Sequence, residues 1–193
     1  MSDYVILDWQ HHGKPGKDDH GASFEGLRET DLSSAYINAA KDALELAGVP
    51  VLVLAYGWYS PRHTYAREAA KAVTGKCVYV ACHVNAGGGS YGLVCYDKRS
   101  GAGKLLSDAV SSELEKLVGK SRSEAASPSS WTNAYNTISG VYEGPANLSG
   151  ICFEPGFIDS EENRHLWYAD GLVRVGEALA AGILNYLEEN GNP

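Results

Sequence analysis

No apolar run in this chain approaches the ~20 residues that a membrane-spanning helix requires, so a helical membrane protein is excluded. The first residues, MSDYVILDWQ, lack the basic and apolar regions of a secretory signal, and the expectation is a cytoplasmic chain until something else releases it. Basic clusters are missing as well. Lys and Arg total 16 against 24 Asp and Glu, a formal charge of −8, and phosphate binding needs a basic stripe, which argues against nucleic acid as a partner. The densest basic stretch, 62-RHTYAREAAK-71, reads as the solvated face of a helix. Four cysteines (Cys77, Cys82, Cys95, Cys152) form no C-x-x-C and match no cysteine-based zinc framework; they read as buried thiols. A Cys82–His83 nucleophile pair is poor, because adjacent strand residues point to opposite faces. With no internal repeat, the 193 residues are expected to form one domain, 1–193, large enough to bury its own core.

What is present alternates between two periodicities. Tyr4–Asp8 reads as a short strand, followed by a glycine- and charge-rich loop through Arg28. Apolar Leu32, Tyr36, Ala40, Leu44 and Ala47 recur at helical spacing, with Thr30 or Asp31 as N-cap and Gly48 at the end. The β-branched run 49-VPVLVLAY-56 suits a central parallel strand. Ser60-Pro61 opens a helix that Gly75 closes. Strands follow at Cys77–Val84 and Tyr91–Asp97, then a helix at Leu105–Val118. The stretch 120-KSRSEAASPSSWTNAYN-136 shows no clear period and reads as a long surface loop or lid, with a short helix within it as the alternative. A strand at Gly150–Phe153 and a helix from about Asn163 to Glu189 complete the chain. This order predicts an α/β fold: a mostly parallel central sheet with helices on both faces and right-handed crossovers.

Sites in such sheets lie beyond the carboxyl ends of the strands. Three polar residues arrive there separately: His11 after the first strand, His83 at the end of the strand from Cys77, and Glu154 after 151-ICF-153. Glu29 stands just before the first helix. Two imidazoles and two carboxylates at one edge are the parts of a mononuclear zinc hydrolase, with one carboxylate as ligand and the other handling protons. The segment 88-GGSYG-92 has the G-x-S-x-G form of a nucleophile elbow, but a strand-like run, 93-LVCYD-97, follows where a helix is needed, so Ser90 is not expected to act as a nucleophile. No Lys-Ser/Thr follows the glycines, which excludes a P-loop.

These residues resemble the catalytic domain of zinc-dependent N-acetylmuramoyl-L-alanine amidases. The turn 8-DWQHHG-13 looks like the family's Asp-x-Gly-His-Gly-Gly turn, Glu29 in 26-GLRETDLSSA-35 like its second ligand, 83-HVNA-86 like its His-x-Asn-Ala motif and 154-EPGF-157 like its Glu-x-Gly-Phe motif. The resemblance runs from about Tyr4 to Leu187, and the last two motifs are the more specific. It implies zinc held by His11, Glu29 and His83, Glu154 as general base, and Asn85 as a substrate contact. The reaction implied is hydrolysis of the amide between N-acetylmuramic acid and L-alanine in peptidoglycan. Gln10 and His12 replace family glycines, which makes His12 a rival to His11, and Glu25 is a rival to Glu29. His20, His63 and His165 match no ligand position and are expected on the surface or behind the site. Trp58, Trp131 and Tyr135 are candidates to line a substrate groove. A bare domain of this kind is similar to a phage-type endolysin, bacteriolytic once it reaches the murein layer. Two other functions fit the same residues: a zinc peptidase or carboxypeptidase acting on stem peptides, and a non-catalytic peptidoglycan-binding protein.

Overall fold

The computed structural model describes residues 3–189. The single unit expected over 1–193 reaches into residues 1–2 and 190–193, which lie outside the described residues. The chain runs β1 (Tyr4–Trp9), a small hairpin of β2 (Ser23–Phe24) and β3 (Leu27–Arg28), then α1 (Glu29–Leu46) and β4 (Val51–Leu54). It continues through α2 (Tyr59–Ala72), β5 (Cys77–Cys82), β6 (Gly92–Asp97), α3 (Gly101–Val118) and β7 (Ser121–Ala126). Next come α4 (Thr132–Tyr142), β8 (Leu148–Glu154), a 3-10 turn at Arg164–Trp167 and α5 (Ala169–Glu189).

Six strands form one sheet in the order β4-β1-β5-β8-β6-β7. All pairs are parallel except β6 against β8. The exception has a simple cause. A parallel return needs a crossover of a dozen or more residues, and the glycine-rich loop 83–91 between β5 and β6 is too short for one, so the chain reverses. The sheet's period of two divides the interior into two layers. Val5, Leu7, Val78, Val80 and Cys82 face α1, α3 and α5, meeting Tyr36, Val110, Leu179 and Ile183. Ile6, Cys77, Tyr79 and Ala81 face the other way, onto Ala66 and Ala70 of α2 and Ile138 and Val141 of α4. Covered on both sides, β5 is buried along its whole length, as its continuous apolar run requires.

Several boundaries differ from those read in the sequence, and β4, read as a central strand, stands at the sheet edge with its residues only partly buried. Residues 120–136 are not a loop: they contribute β7 at the sheet edge and the first turns of α4. The polar composition of β7, Ser-Arg-Ser-Glu-Ala-Ala, is that of an edge strand with its outer row in solvent. Helix α1 begins at Glu29 with no side-chain cap; its first N–H groups go to the preceding loop, Glu29 N–H to the Ala22 carbonyl (2.9 Å) and Thr30 N–H to that of His20 (3.3 Å). Helix α3 starts earlier than its apolar spacing suggests, because the Ser100 hydroxyl caps it by accepting from Gly103 N–H. Extended Tyr168 interrupts the C-terminal helix, separating the 3-10 turn from α5.

Candidate functional site

Strands β1, β5 and β8 are consecutive neighbours and parallel, so their carboxyl ends open onto one edge. His11 follows β1, His83 follows β5, and Glu154 is the last residue of β8. Glu29, on the first turn of α1, reaches the same place. Donor atoms of His11, Glu29 and His83 all lie within 4.8 Å of one another. Both imidazoles approach the same oxygen: His83 Nδ1 is 2.9 Å and His11 Nε2 3.5 Å from Glu29 Oε1. The three residues line a cleft of ≈ 280 Å³ together with Tyr59, Asn85, Asn133, Asn136, Thr137 and Glu154.

The local backbone explains how each side chain is held. The Glu29 carboxylate accepts from two main-chain N–H groups, Ala22 on Oε2 (2.7 Å) and Val84 on Oε1 (3.0 Å). Gly21 makes the first contact feasible: its φ is +66°, and a Cβ there would lie 2.2 Å from Glu29 Oε2. The segment after His83 is tied to the segment after Glu154. His83 N–H donates to the Phe153 carbonyl, Asn85 N–H to that of Gly156, and Ile158 N–H to that of Asn85. His11 sits in the left-handed region with φ 63°, a strained conformation for histidine of the kind that clusters at functional sites.

Electrostatics separate the two carboxylates. Burial pushes Glu154 above the usual carboxylate range and Glu29 adds to the rise, with His83 opposing. Burial would also raise Glu29, but the His83 hydrogen bond and the charges of both histidines outweigh it and hold Glu29 down. Burial lowers the pKa of His11, whereas at His83 burial is outweighed by the hydrogen bond and charge of Glu29, which raise it. His83 Nε2 is buried with no hydrogen-bond partner, and an orphaned buried polar atom marks a place where a partner belongs. Two imidazoles, one with a bare nitrogen, and an anionic carboxylate fit a divalent ion of the zinc type.

The rival residues lie elsewhere. His12 is exposed and stacked on Trp9, ring centroids 3.6 Å apart, outside the cluster. Glu25 occupies the tip of the β2–β3 hairpin with φ 47° and pairs with Arg164. All four cysteines are buried and free; burial pushes the Cys77 thiol up to about 12 and those of Cys82 and Cys152 well above the usual range, so none is a ready thiolate. His20 and His165 are exposed to solvent in part or in full. His63, expected on the surface or behind the site, is buried on α2, its Nε2 2.8 Å from the carbonyl of Thr137, a cleft residue of α4. Trp58, Trp131 and Tyr135 do not line the cleft; Tyr59 and a polar face of α4 do. That face carries Asn133, Asn136 and Thr137 at helical spacing, at the end of the stretch read as a loop or a loop with a short helix.

No family model matches the chain, and neither does any curated protein. Solved structures do. The N-acetylmuramoyl-L-alanine amidase AmiC2 of Nostoc punctiforme is similar at 21% identity, covering 96% of this chain and 97% of that one with a TM-score of 0.72. An N-acetylmuramoyl-L-alanine amidase from Clostridium difficile 630 gives 18% identity, 98% and 99% coverage and a TM-score of 0.75. The catalytic domain of the CD27L endolysin, which targets Clostridium difficile, gives 13% identity, 96% and 98% coverage and a TM-score of 0.66. At these identities the likeness is one of fold.

Proposed function

We propose that the chain is a zinc-dependent amidase, a single catalytic domain hydrolysing the bond between N-acetylmuramic acid and L-alanine of peptidoglycan. The observation that carries this reading is the convergence of His11, Glu29 and His83 within 4.8 Å, with Glu154 in the same cleft. The fold shared with the amidases named above supports the choice of substrate, and the endolysin domain among them supports bacteriolytic action on the murein layer, as a phage-type lysin would have.

His11, Glu29 and His83 would hold the ion. When bound, zinc would polarise the scissile carbonyl and make an attacking water acidic enough to ionise near neutral pH. Glu154 takes a proton from that water as its oxygen adds to the carbonyl carbon, then delivers the proton to the L-alanine nitrogen as the C–N bond breaks. The products are a lactyl carboxylate on the glycan and a free amine on the peptide. A carboxyl raised by burial suits the second half of this task, where it must give the proton back. Asn85 accepts from Ala86 N–H through its own Oδ1 (2.8 Å), which leaves its amide N–H groups to meet a substrate carbonyl.

The test combines metal content with clearing of purified sacculi. About one zinc per chain is expected from a mononuclear site, with clearing lost on chelation and restored by zinc. Protein that sediments with sacculi without clearing them, metal present, would instead be a binder.

A further inference from the structure

Between β1 and β2 the chain makes a loop, 13-GKPGKDDHG-21, whose side chains meet the back of the metal cluster. His11 has two ring nitrogens and both are engaged. Nε2 faces Glu29 Oε1 at 3.5 Å, while Nδ1 lies 3.1 Å from Asp19 Oδ1. Asp19 is itself held from three sides: Gly21 N–H donates to Oδ1 (3.1 Å), and Lys14 Nζ (2.7 Å) and Lys17 Nζ (3.3 Å) approach Oδ2. The Lys14 side chain is 5% exposed, and its ammonium lies 5.1 Å from the Tyr59 ring centroid and 5.8 Å from that of Trp58.

A carboxylate at Nδ1 accepts the ring proton there, which fixes the tautomer whose lone pair is on Nε2. A buried lysine at the carboxylate's other oxygen keeps that carboxylate ionised and stationary. We infer that Asp19, anchored by Lys14, is the positioning residue of the metal centre, holding His11 so that Nε2 is aimed at Glu29 and His83. His11 lies on a left-handed turn beyond the end of β1, its ring edge-on to that of His83 with centroids 5.1 Å apart, and Asp19 is the carboxylate that meets it at Nδ1. Asp18, the adjacent carboxylate, has no such role: its side chain is 90% exposed and pairs with His20. The inference rests on the metal-site reading above.

The test is zinc affinity of the metal-free protein, read by competition with a chromogenic chelator, for wild type, Asp19→Ala, Asp19→Asn and Asp18→Asn. Asp19→Ala is expected to bind about 10–100-fold more weakly, the usual cost of losing a carboxylate behind a histidine ligand. Asp19→Asn should fall between it and wild type, since an amide oxygen still accepts from Nδ1–H. Asp18→Asn should match wild type. Nitrogen-15 shifts of the His11 ring, taken without metal at mildly alkaline pH, should show one tautomer in wild type and a mixture in Asp19→Ala. Wild-type affinity in both Asp19 variants overturns the inference, as does an equal fall in Asp18→Asn, which would mark a general charge effect. If wild type itself binds no zinc, the metal reading fails first; that result is distinct from any difference among variants.

Discussion

Glu29 and Glu154 share one cleft, yet their surroundings assign them different work. Glu29 receives two backbone N–H groups and two imidazoles; Glu154 receives a weak thiol contact from Cys152 at 3.8 Å and is raised by burial. Glu154→Gln keeps the shape but cannot accept a proton, so it should retain zinc and fold while losing about 10²–10⁴ in turnover, the usual contribution of a positioned acid–base group. Glu29→Gln should lose metal instead, because a neutral oxygen replaces an anionic ligand. Zinc content and product release, measured on both, decide the assignment. An active Glu154→Gln protein, or one lacking metal while Glu29→Gln keeps it, contradicts the account. Motif spacing can point to carboxylates at a sheet edge, but it cannot see the hydrogen bonds that distinguish them. Choosing between His11 and His12 likewise depends on a ring stacked on Trp9, which no spacing rule contains.

At the scale of elements, the central strands were legible because a strand buried on both faces must be apolar throughout, as 77-CVYVAC-82 is. Helices with wide apolar stripes were legible for the same reason. What stayed hidden was β7, and α4 was visible only as a possible short helix. An edge strand of Ser, Arg and Glu has no apolar run to announce it, and α4 buries only Ala134, Thr137, Ile138 and Val141, small and polar residues among them. Helix α5 illustrates a different limit: apolar spacing says nothing of its glycines, which are contact points in space. A Cβ on Gly176 would meet the Tyr36 carbonyl oxygen of α1 at 2.4 Å and Ala39 Cβ at 2.6 Å. Gly176→Ala gains helix propensity yet forces α1 and α5 apart, and overpacking of this kind typically costs about 1–3 kcal/mol. Urea unfolding should therefore show a lower midpoint for Gly176→Ala, with the slope unchanged; an unchanged or higher midpoint would mean the helices can part freely.

For the whole molecule, the site is assembled from segments far apart in sequence, on β1, α1, β5 and β8. An ion bound by His11, Glu29 and His83 together is bound only by the folded chain, so binding and folding are linked. At a zinc concentration near a thousand times Kd the linkage is worth about 4 kcal/mol. Thermal unfolding with excess chelator should then occur at a clearly lower temperature than with zinc, and the difference should vanish in His83→Ala. A chelator-insensitive Tm in wild type would show that no ion is held by the folded chain.

The central claim is which bond breaks, and mass spectrometry of material released from purified sacculi measures it directly. The account predicts peptides with a free L-alanine amino terminus and glycan strands whose muramic acid carries an unsubstituted lactyl carboxylate, with neither product from Glu154→Gln. Shortened stem peptides still attached to the glycan would contradict it and assign the same residues to a peptidase.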